Sequence, residues 1–294
     1  MQPDSIVRNA CYQVRRALSH EIPLIYELAE QEGWNPGAYD AKAAAQGMPG
    51  AFWLGELNEQ VIASIAAAEY GDNLAYISFY LVQSEYRRQG YGAPLWHTVM
   101  ERLKGRNIIL DAMPKQVDFY RRLGFNIDHT ITSYHFNGAV SNAMANCGSE
   151  KMPLVPLKDT ILEETLIYDR DFFPADRSRY MREWLSMPNA SGFVWKEGKS
   201  ISGYGLIRQA KQGYRIGPCY ADSPEIADTL LRALLIQANG APVSISMPEN
   251  NPLTQRLVDD FGLVAGSRLQ RMYSQSPLEL PFARMVAITN FTFG

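Results

Sequence analysis

The sequence predicts an α/β (α+β) chain built twice over, each half a mixed, mostly antiparallel twisted sheet flanked by helices. Three observations predict it. Ala75 to Val82 is an apolar, aromatic run of strand character; it leads through Arg87, Arg88, Gly90 and Gly92 to Pro94, Leu95, Val99 and Leu103 at helical spacing. Next, Ile108 to Met113 reads as a buried strand broken at Pro114, and Val117, Tyr120 and Leu123 form a helix stripe closed by Gly124. Finally, these landmarks return: Met113-Pro114 recurs as Met247-Pro248 after 134 residues, and Gly124 recurs as Gly262 after 138. Near-equal offsets at two landmarks indicate a domain-sized internal repeat.

Taken in order, Tyr12 to Ala17 alternates as a first strand, and Ser19 caps a helix through Ile22, Ile25, Leu28 and Ala29 that stops at Gly33. Trp34-Asn-Pro-Gly37 is a turn with an aromatic head, followed by a short Ala-rich helix from Tyr39 to Gln46. Ala51 to Leu57 and Gln60 to Glu69 read as a hairpin turning at Asn58-Glu59. After Phe125, Asp128 to Phe136 is closing strand material. The small, polar, aperiodic stretch from Gly138 to Ser149 then reads as a linker. The expected units are therefore 1–137, a linker 138–157, and a second unit 158–294. In the second, a hairpin turns around Lys196 to Lys199, Tyr214 to Tyr220 is a strand, and Ala227 to Ile236 is a helix.

Composition narrows the function classes. With 294 residues, 46% apolar and 20% charged, the chain has ample core for two domains. A net charge of −3 gives no global field that draws nucleic acid. No apolar run approaches the roughly 20 residues of a membrane span. Met1-Gln-Pro-Asp lacks the basic and apolar pattern of a signal peptide. Cys11, Cys147 and Cys219 lie far apart without metal spacing, so reduced thiols, no metal and a cytoplasmic setting are expected.

The glycine loop carries the chemistry. The first amides of a helix have no partners inside it and sit at the positive end of its dipole. Glycines let such a loop adopt positive φ and let a ligand approach the backbone, so amides converge on a phosphate or pyrophosphate. The bland alternative is a tight turn feeding a surface helix. Arg87 to Gly92 has the form Arg-x-x-Gly-x-Gly, and Phe119 to Phe125 is Phe-Tyr-Arg-Arg-Leu-Gly-Phe. Together, in this order, they resemble the GNAT superfamily of acyl-CoA-dependent N-acyltransferases. The two-part layout is similar to bacterial members that carry a GNAT-like C-terminal domain.

The resemblance implies an N-acetyltransferase that moves an acetyl group from acetyl-CoA directly to a primary amine, most simply of a small molecule. It assigns Arg87, Arg88, Gln89, Gly90, Tyr91, Gly92 and Ala93 to the pyrophosphate, with Leu81 and Val82 as backbone contacts to the pantetheine arm. Tyr120 falls where the family's phenol protonates the leaving thiolate. Trp34 and Asn35 fall in the substrate-facing loop, and with Tyr80 of the central strand they are the substrate-binding candidates. The general base is open: Glu69 is the candidate, and a water chain to solvent is the alternative. The second unit has Ala-Asp-Ser-Pro-Glu225 in place of the glycine loop and Val258 opposite Tyr120, so it is not expected to bind acyl-CoA. Against the enzyme stands a CoA-binding or regulatory protein without turnover. A nucleotide-binding fold is disfavoured, because the loop lacks a Gly-Lys-Ser/Thr ending.

Overall fold

The computed structural model describes residues 11–138 and 152–294. The first half runs β1 (Tyr12–Arg16), α1 (Ile22–Gln31), α2 (Asp40–Gly47), β2 (Phe52–Leu57), β3 (Gln60–Tyr70), β4 (Leu74–Val82), α3 (Gly92–Arg102), β5 (Asn107–Ala112), α4 (Val117–Arg122) and β6 (Asn126–Phe136). The second repeats that order as β7 (Leu154–Pro156), α5 (Asp159–Asp169), α6 (Ser178–Leu185), β8 (Ala190–Glu197), β9 (Ser200–Gln209), β10 (Tyr214–Ala221), α7 (Pro224–Gln237), β11 (Val243–Pro248), α8 (Thr254–Phe261) and β12 (Val264–Tyr273). It then adds β13 (Met285–Ala287).

Local chemistry accounts for the elements. Asn58 and Glu59 both take positive φ, +49° and +67°, as a two-residue hairpin turn requires. In β3 and β4 most residues are buried, 8 of 11 and 6 of 9, because helices cover both faces and the strands carry apolar side chains on both. On α3 the buried stripe is Leu95, Trp96 and Val99. It packs with Val117 and Phe125 over Ile65, Ala75 and Ile77. On the opposite face α1 and α2 meet α5 and α6 across one apolar core that includes Tyr26, Phe52, Phe79, Tyr180, Trp184 and Phe293.

Two sequence expectations change. Residues 139–151 of the expected linker lie outside the described residues, but Leu154–Pro156 already pairs antiparallel with β8, so organised structure begins before Lys158. More importantly, the two expected sheets are one. Its order is β1-β2-β3-β4-β5-β12-β6-β11-β10-β9-β8-β7, with β13 beside β10. The last strand of each copy has crossed into the other: β12 pairs with β5, and β6 pairs with β11. The two exchanged strands pair with each other at the centre, from Val264↔His135 to Tyr273↔Asn126.

The exchange brings together a buried ionic contact. Asp111 of β5 accepts from Arg271 of β12 at 2.7 and 2.9 Å, and Tyr76 donates to the same carboxylate. A second cross-copy pair, Asp40 with Arg208 at 2.8 Å, is equally buried.

Candidate active site

The site is built on a defect in β4. Against β3, Ser78 faces Ala66 but Leu81 faces Ser64, so β4 carries one extra residue. Phe79 sits at the bulge with φ +49°, rare for an aromatic residue, and its carbonyl accepts from the buried Ser64 hydroxyl at 3.0 Å. On the other side, the parallel pairing with β5 ends at Ile77↔Leu110, while β4 continues to Val82. The last residues of β4 thus leave a backbone edge that no neighbouring strand covers among the described residues.

The alternation of an antiparallel ladder says which amides face that gap. Gln83 donates to Ile62 at 2.9 Å, which turns Leu81 toward Ser64 and leaves the amides of Tyr80 and Val82 facing away from β3. This corrects one expectation: the backbone of Leu81 serves β3. Its side chain instead lines a cleft of about 140 Å³ with Leu28, Gln31, Glu32, Gln83, Ser84 and Glu85.

Beyond β4 a 3₁₀ turn, Ser84–Tyr86, leads into the glycine loop. Arg88 and Gly90 take positive φ, +61° and +89°. The amides of Arg88, Gln89, Gly90, Tyr91 and Gly92 make no hydrogen bond among the described residues, whereas that of Ala93 closes on Gly90 at 3.1 Å. A side chain at Gly90 would point into open space, and one at Gly92 would come within 2.7 Å of the Tyr80 hydroxyl. Five consecutive amides at the positive end of α3 thus have no partner among the described residues, an arrangement suited to an anion. Arg87 does not point into it. Its Nε donates to the Val82 carbonyl at 2.8 Å and its guanidinium pairs with Glu32, so it braces the loop. Gln89 likewise ties back to Glu85 at 2.7 Å. Tyr12 donates to the Tyr91 carbonyl at 2.6 Å and holds the loop from β1.

Tyr120 stands beside this seat in an aromatic group, 5.8 Å from the Trp96 ring and 6.1 Å from Phe125. Its hydroxyl makes no hydrogen bond among the described residues. Burial, then the Tyr80 phenol, push its pKa well up. Tyr80 packs on Trp96 at 5.2 Å, and burial pushes it up to about 12. Tyr80 therefore belongs with Tyr120 on the α3 face, apart from Trp34.

Glu69 is not brought to the site. It pairs with Ala75, at the opposite end of β4 from the bulge. Arg102 and Arg106 bind its carboxylate at 2.5 and 3.2 Å. A carboxylate tied by two guanidiniums far from the gap cannot serve as the base there. Asn35 is also committed elsewhere. Its side chain exchanges two 3.0 Å hydrogen bonds with the backbone of Gln212, so it clasps the turn between β9 and β10. Trp34 remains 40% exposed with its ring 5.8 Å from Phe79. Sequence reasoning missed Ser64, Phe79 and Arg215. Arg215 donates to the Trp34 and Asn35 carbonyls at 3.2 and 3.1 Å, and no local pattern announces a partner 180 residues away.

The second copy keeps the bulge and loses the gap. Ile216 faces Ile207 but Cys219 faces Gly205, and pairing with β11 ends at Ile216↔Ile245. There β13 pairs with β10, and Ile288 donates to Ser246 of β11 at 3.0 Å. The helix that follows, α7, is capped by the Ser223 hydroxyl on the Ile226 amide, with Pro224 in its first turn. Among the described residues, no group of three or more His, Cys, Asp or Glu could hold a metal. No described helix is long and apolar enough to cross a membrane.

Comparison with known proteins agrees with this geometry. Residues 19–125 match the acetyltransferase (GNAT) family, and residues 165–284 match an acetyltransferase (GNAT) domain. The chain is 30% identical over 229 residues to holothin acyltransferase of Pseudoalteromonas sp. (strain SANK 73390), covering 78% of this chain and 76% of that one. In fold it is similar to an acetyltransferase candidate from Pyrococcus horikoshii (TM-score 0.78, 19% identity, 100% and 99% of the two chains). It is also similar to a tandem GNAT protein from the clavulanic acid biosynthesis pathway (TM-score 0.64, 14% identity, 91% and 100%). The chain belongs to the GNAT family of acyl-CoA-dependent acyltransferases and carries two GNAT domains in tandem.

Proposed function

We propose that the first unit, 1–137, is an N-acetyltransferase that passes an acetyl group from acetyl-CoA directly to the primary amine of a small molecule. On this reading the second unit, 158–294, binds no cofactor and completes the acceptor side. One observation carries the proposal: five amides, Arg88 to Gly92, and the strand edge that they adjoin have no partner among the described residues. The amides and α3 would hold the diphosphate. The Val82 amide would pair with the pantetheine arm, and the Tyr80 amide would donate to the thioester oxygen as charge develops on it. Tyr120, neutral and without a competing hydrogen bond, would give its proton to the departing sulfur. With Glu69 removed from consideration, the amine's surplus proton leaves through water.

The 30% identical relative named holothin acyltransferase supports acyl transfer, and the tandem GNAT protein from the clavulanic acid biosynthesis pathway shares the two-part fold. Cytoplasmic work is part of the same proposal, on the widely spaced cysteines. The test is isothermal calorimetry with acetyl-CoA, followed by detection of free thiol across a set of amines. One mole bound per mole of chain with amine-dependent thiol release is expected. Two moles bound, or none, would defeat the assignment.

A further inference from the structure

The bulge in β4 is an unfavourable piece of backbone, and the chain holds it from two sides. An aromatic residue at φ +49° persists only where its surroundings fix it. From β3, the buried Ser64 hydroxyl meets the carbonyl of Phe79, which has no partner in the β3 ladder. The other support comes from the second copy. After β13, residues 288–294 run against the first copy. The Thr292 carbonyl accepts from the hydroxyl of Ser78, the residue just before the bulge, at 2.9 Å. The Phe293 carbonyl accepts from Tyr70 of β3 at 2.7 Å. The Phe293 ring meets Phe52 edge-on at 5.7 Å, and Phe52 backs Phe79 at 6.1 Å.

The segment is itself fixed inside the second copy. Asn290 accepts from the amides of Thr292 and Phe293 at 2.8 and 2.9 Å and donates to Tyr180 of α6 at 2.8 Å. Arg177 donates to the Thr289 hydroxyl and to the Gly294 carbonyl at 3.0 and 2.7 Å. Ile288 donates to Ser246 of β11 at 3.0 Å.

Register shows what the bulge does. Tyr76 packs on the α1 side of β4 and Ile77 on the α3 side. The extra residue keeps Phe79 on the α1 side and puts Tyr80 on the α3 side, beside Trp96. Without it, every residue after Ser78 would change face. The Tyr80 amide would then point at β3 instead of the gap. We infer that residues 288–294 of the second copy, acting through the Ser78 hydroxyl, hold the bulge so that the Tyr80 amide reaches the thioester oxygen. This rests on the N-acetyltransferase reading above. Ser78 and Asn290 are positioning residues, since they act through the backbone of β4.

The probe is acetyl-CoA carrying ¹³C at the thioester carbonyl, bound to the full chain and read by difference infrared spectroscopy. No acceptor is needed. A hydrogen bond from the Tyr80 amide weakens the C=O bond, so the band of the bound thioester should lie below that of free acetyl-CoA. Ser78→Ala should lose about half of that shift or more. Its Kd for acetyl-CoA should stay within about two-fold by calorimetry, because the amides of Arg88 to Gly92 still hold the diphosphate. Ser78→Thr keeps the hydroxyl and should restore the shift. Asn290→Ala, which removes hydrogen bonds only within the second copy, should lose it as Ser78→Ala does. If that variant does not fold, Tyr180→Phe replaces it, because it removes only the hydroxyl that holds Asn290. General loosening would weaken Kd and leave the band of the bound fraction in place. The full wild-type shift in Ser78→Ala, or in the second-copy variant, would overturn the inference and leave acetyl transfer standing. A wild-type chain that binds no acetyl-CoA would overturn both.

Discussion

The two copies start from the same bent strand and end in opposite states. In each, the fourth strand gains a residue at the same place and parts from its parallel neighbour after a few pairs, at Ile77↔Leu110 and at Ile216↔Ile245. In the first copy the parted edge is open and the following helix begins with free amides. In the second, β13 lies along the edge and Ser223 satisfies the helix. A gap between strands is thus a structural commitment of the fold, and in the second copy the chain itself fills it. The difference also explains why the second copy could lose its glycines and its phenol position, Val258, while the fold persisted.

The largest effect should come from breaking the bond between copies. Asp111 is buried, and Arg271 reaches it only because β12 lies beside β5. Arg271→Met leaves that carboxylate uncompensated, at a cost of about 3–5 kcal/mol. Because each copy contributes a strand to the other, urea unfolding should remain a single transition. Tryptophans in both copies, Trp96 and Trp184 among them, report it. Two separated transitions in the variant would show that the exchanged strands do not couple the halves.

Next in size is the loop. Gly92→Val drives a side chain into the Tyr80 hydroxyl, and Gly90→Val forces a β-branched residue to φ +89°. Either should weaken acetyl-CoA binding on the order of 100-fold or more, because the free amides no longer converge. Circular dichroism should show the fold retained. Calorimetry giving wild-type affinity would remove the loop from the site.

Much of this was legible before any coordinates. The strand, glycine loop and helix follow from local rules about φ and free amides, and the hairpin at Asn58-Glu59 from the turn it needs. The repeat showed in punctuation, since Met-Pro and Gly after a helix sit where the backbone requires them. What stayed hidden depends on partners far away in sequence. A strand's periodicity says which face is buried but not which strand lies beside it, so the exchange of β6 and β12 left no trace. Nothing in Ser-Phe-Tyr announces a bulge with an aromatic residue at positive φ. Glu69 and Asn35 had the right chemistry, but arginines and the Gln212 backbone had already engaged them.

Tyr120→Phe should lower kcat on the order of 100-fold with little change in acetyl-CoA affinity. The sign of its pKa shift sets the pH behaviour. Burial and Tyr80 raise it, so the proton-bearing form is favoured and persists past the ordinary phenol value. The wild-type kcat should therefore show no alkaline fall from this group up to about pH 10. A fall beginning well below that would mean that another acid delivers the proton.

The smallest effect tests how the two helix ends are satisfied. Ser223 accepts from Ile226 at 3.3 Å at the start of α7, whereas α3 has no side-chain cap. Replacing Ser223 by Ala should cost about 1 kcal/mol in the unbound protein, the usual worth of such a cap. Acetyl-CoA should then stabilise the variant by the same increment as the wild type, because it fills the first copy alone. If instead the ligand restored the lost stability, the second helix would also be taking phosphate, and the filled gap beside it would have to open. Parallel urea titrations with and without acetyl-CoA separate these outcomes: equal increments keep the assignments of the two copies apart.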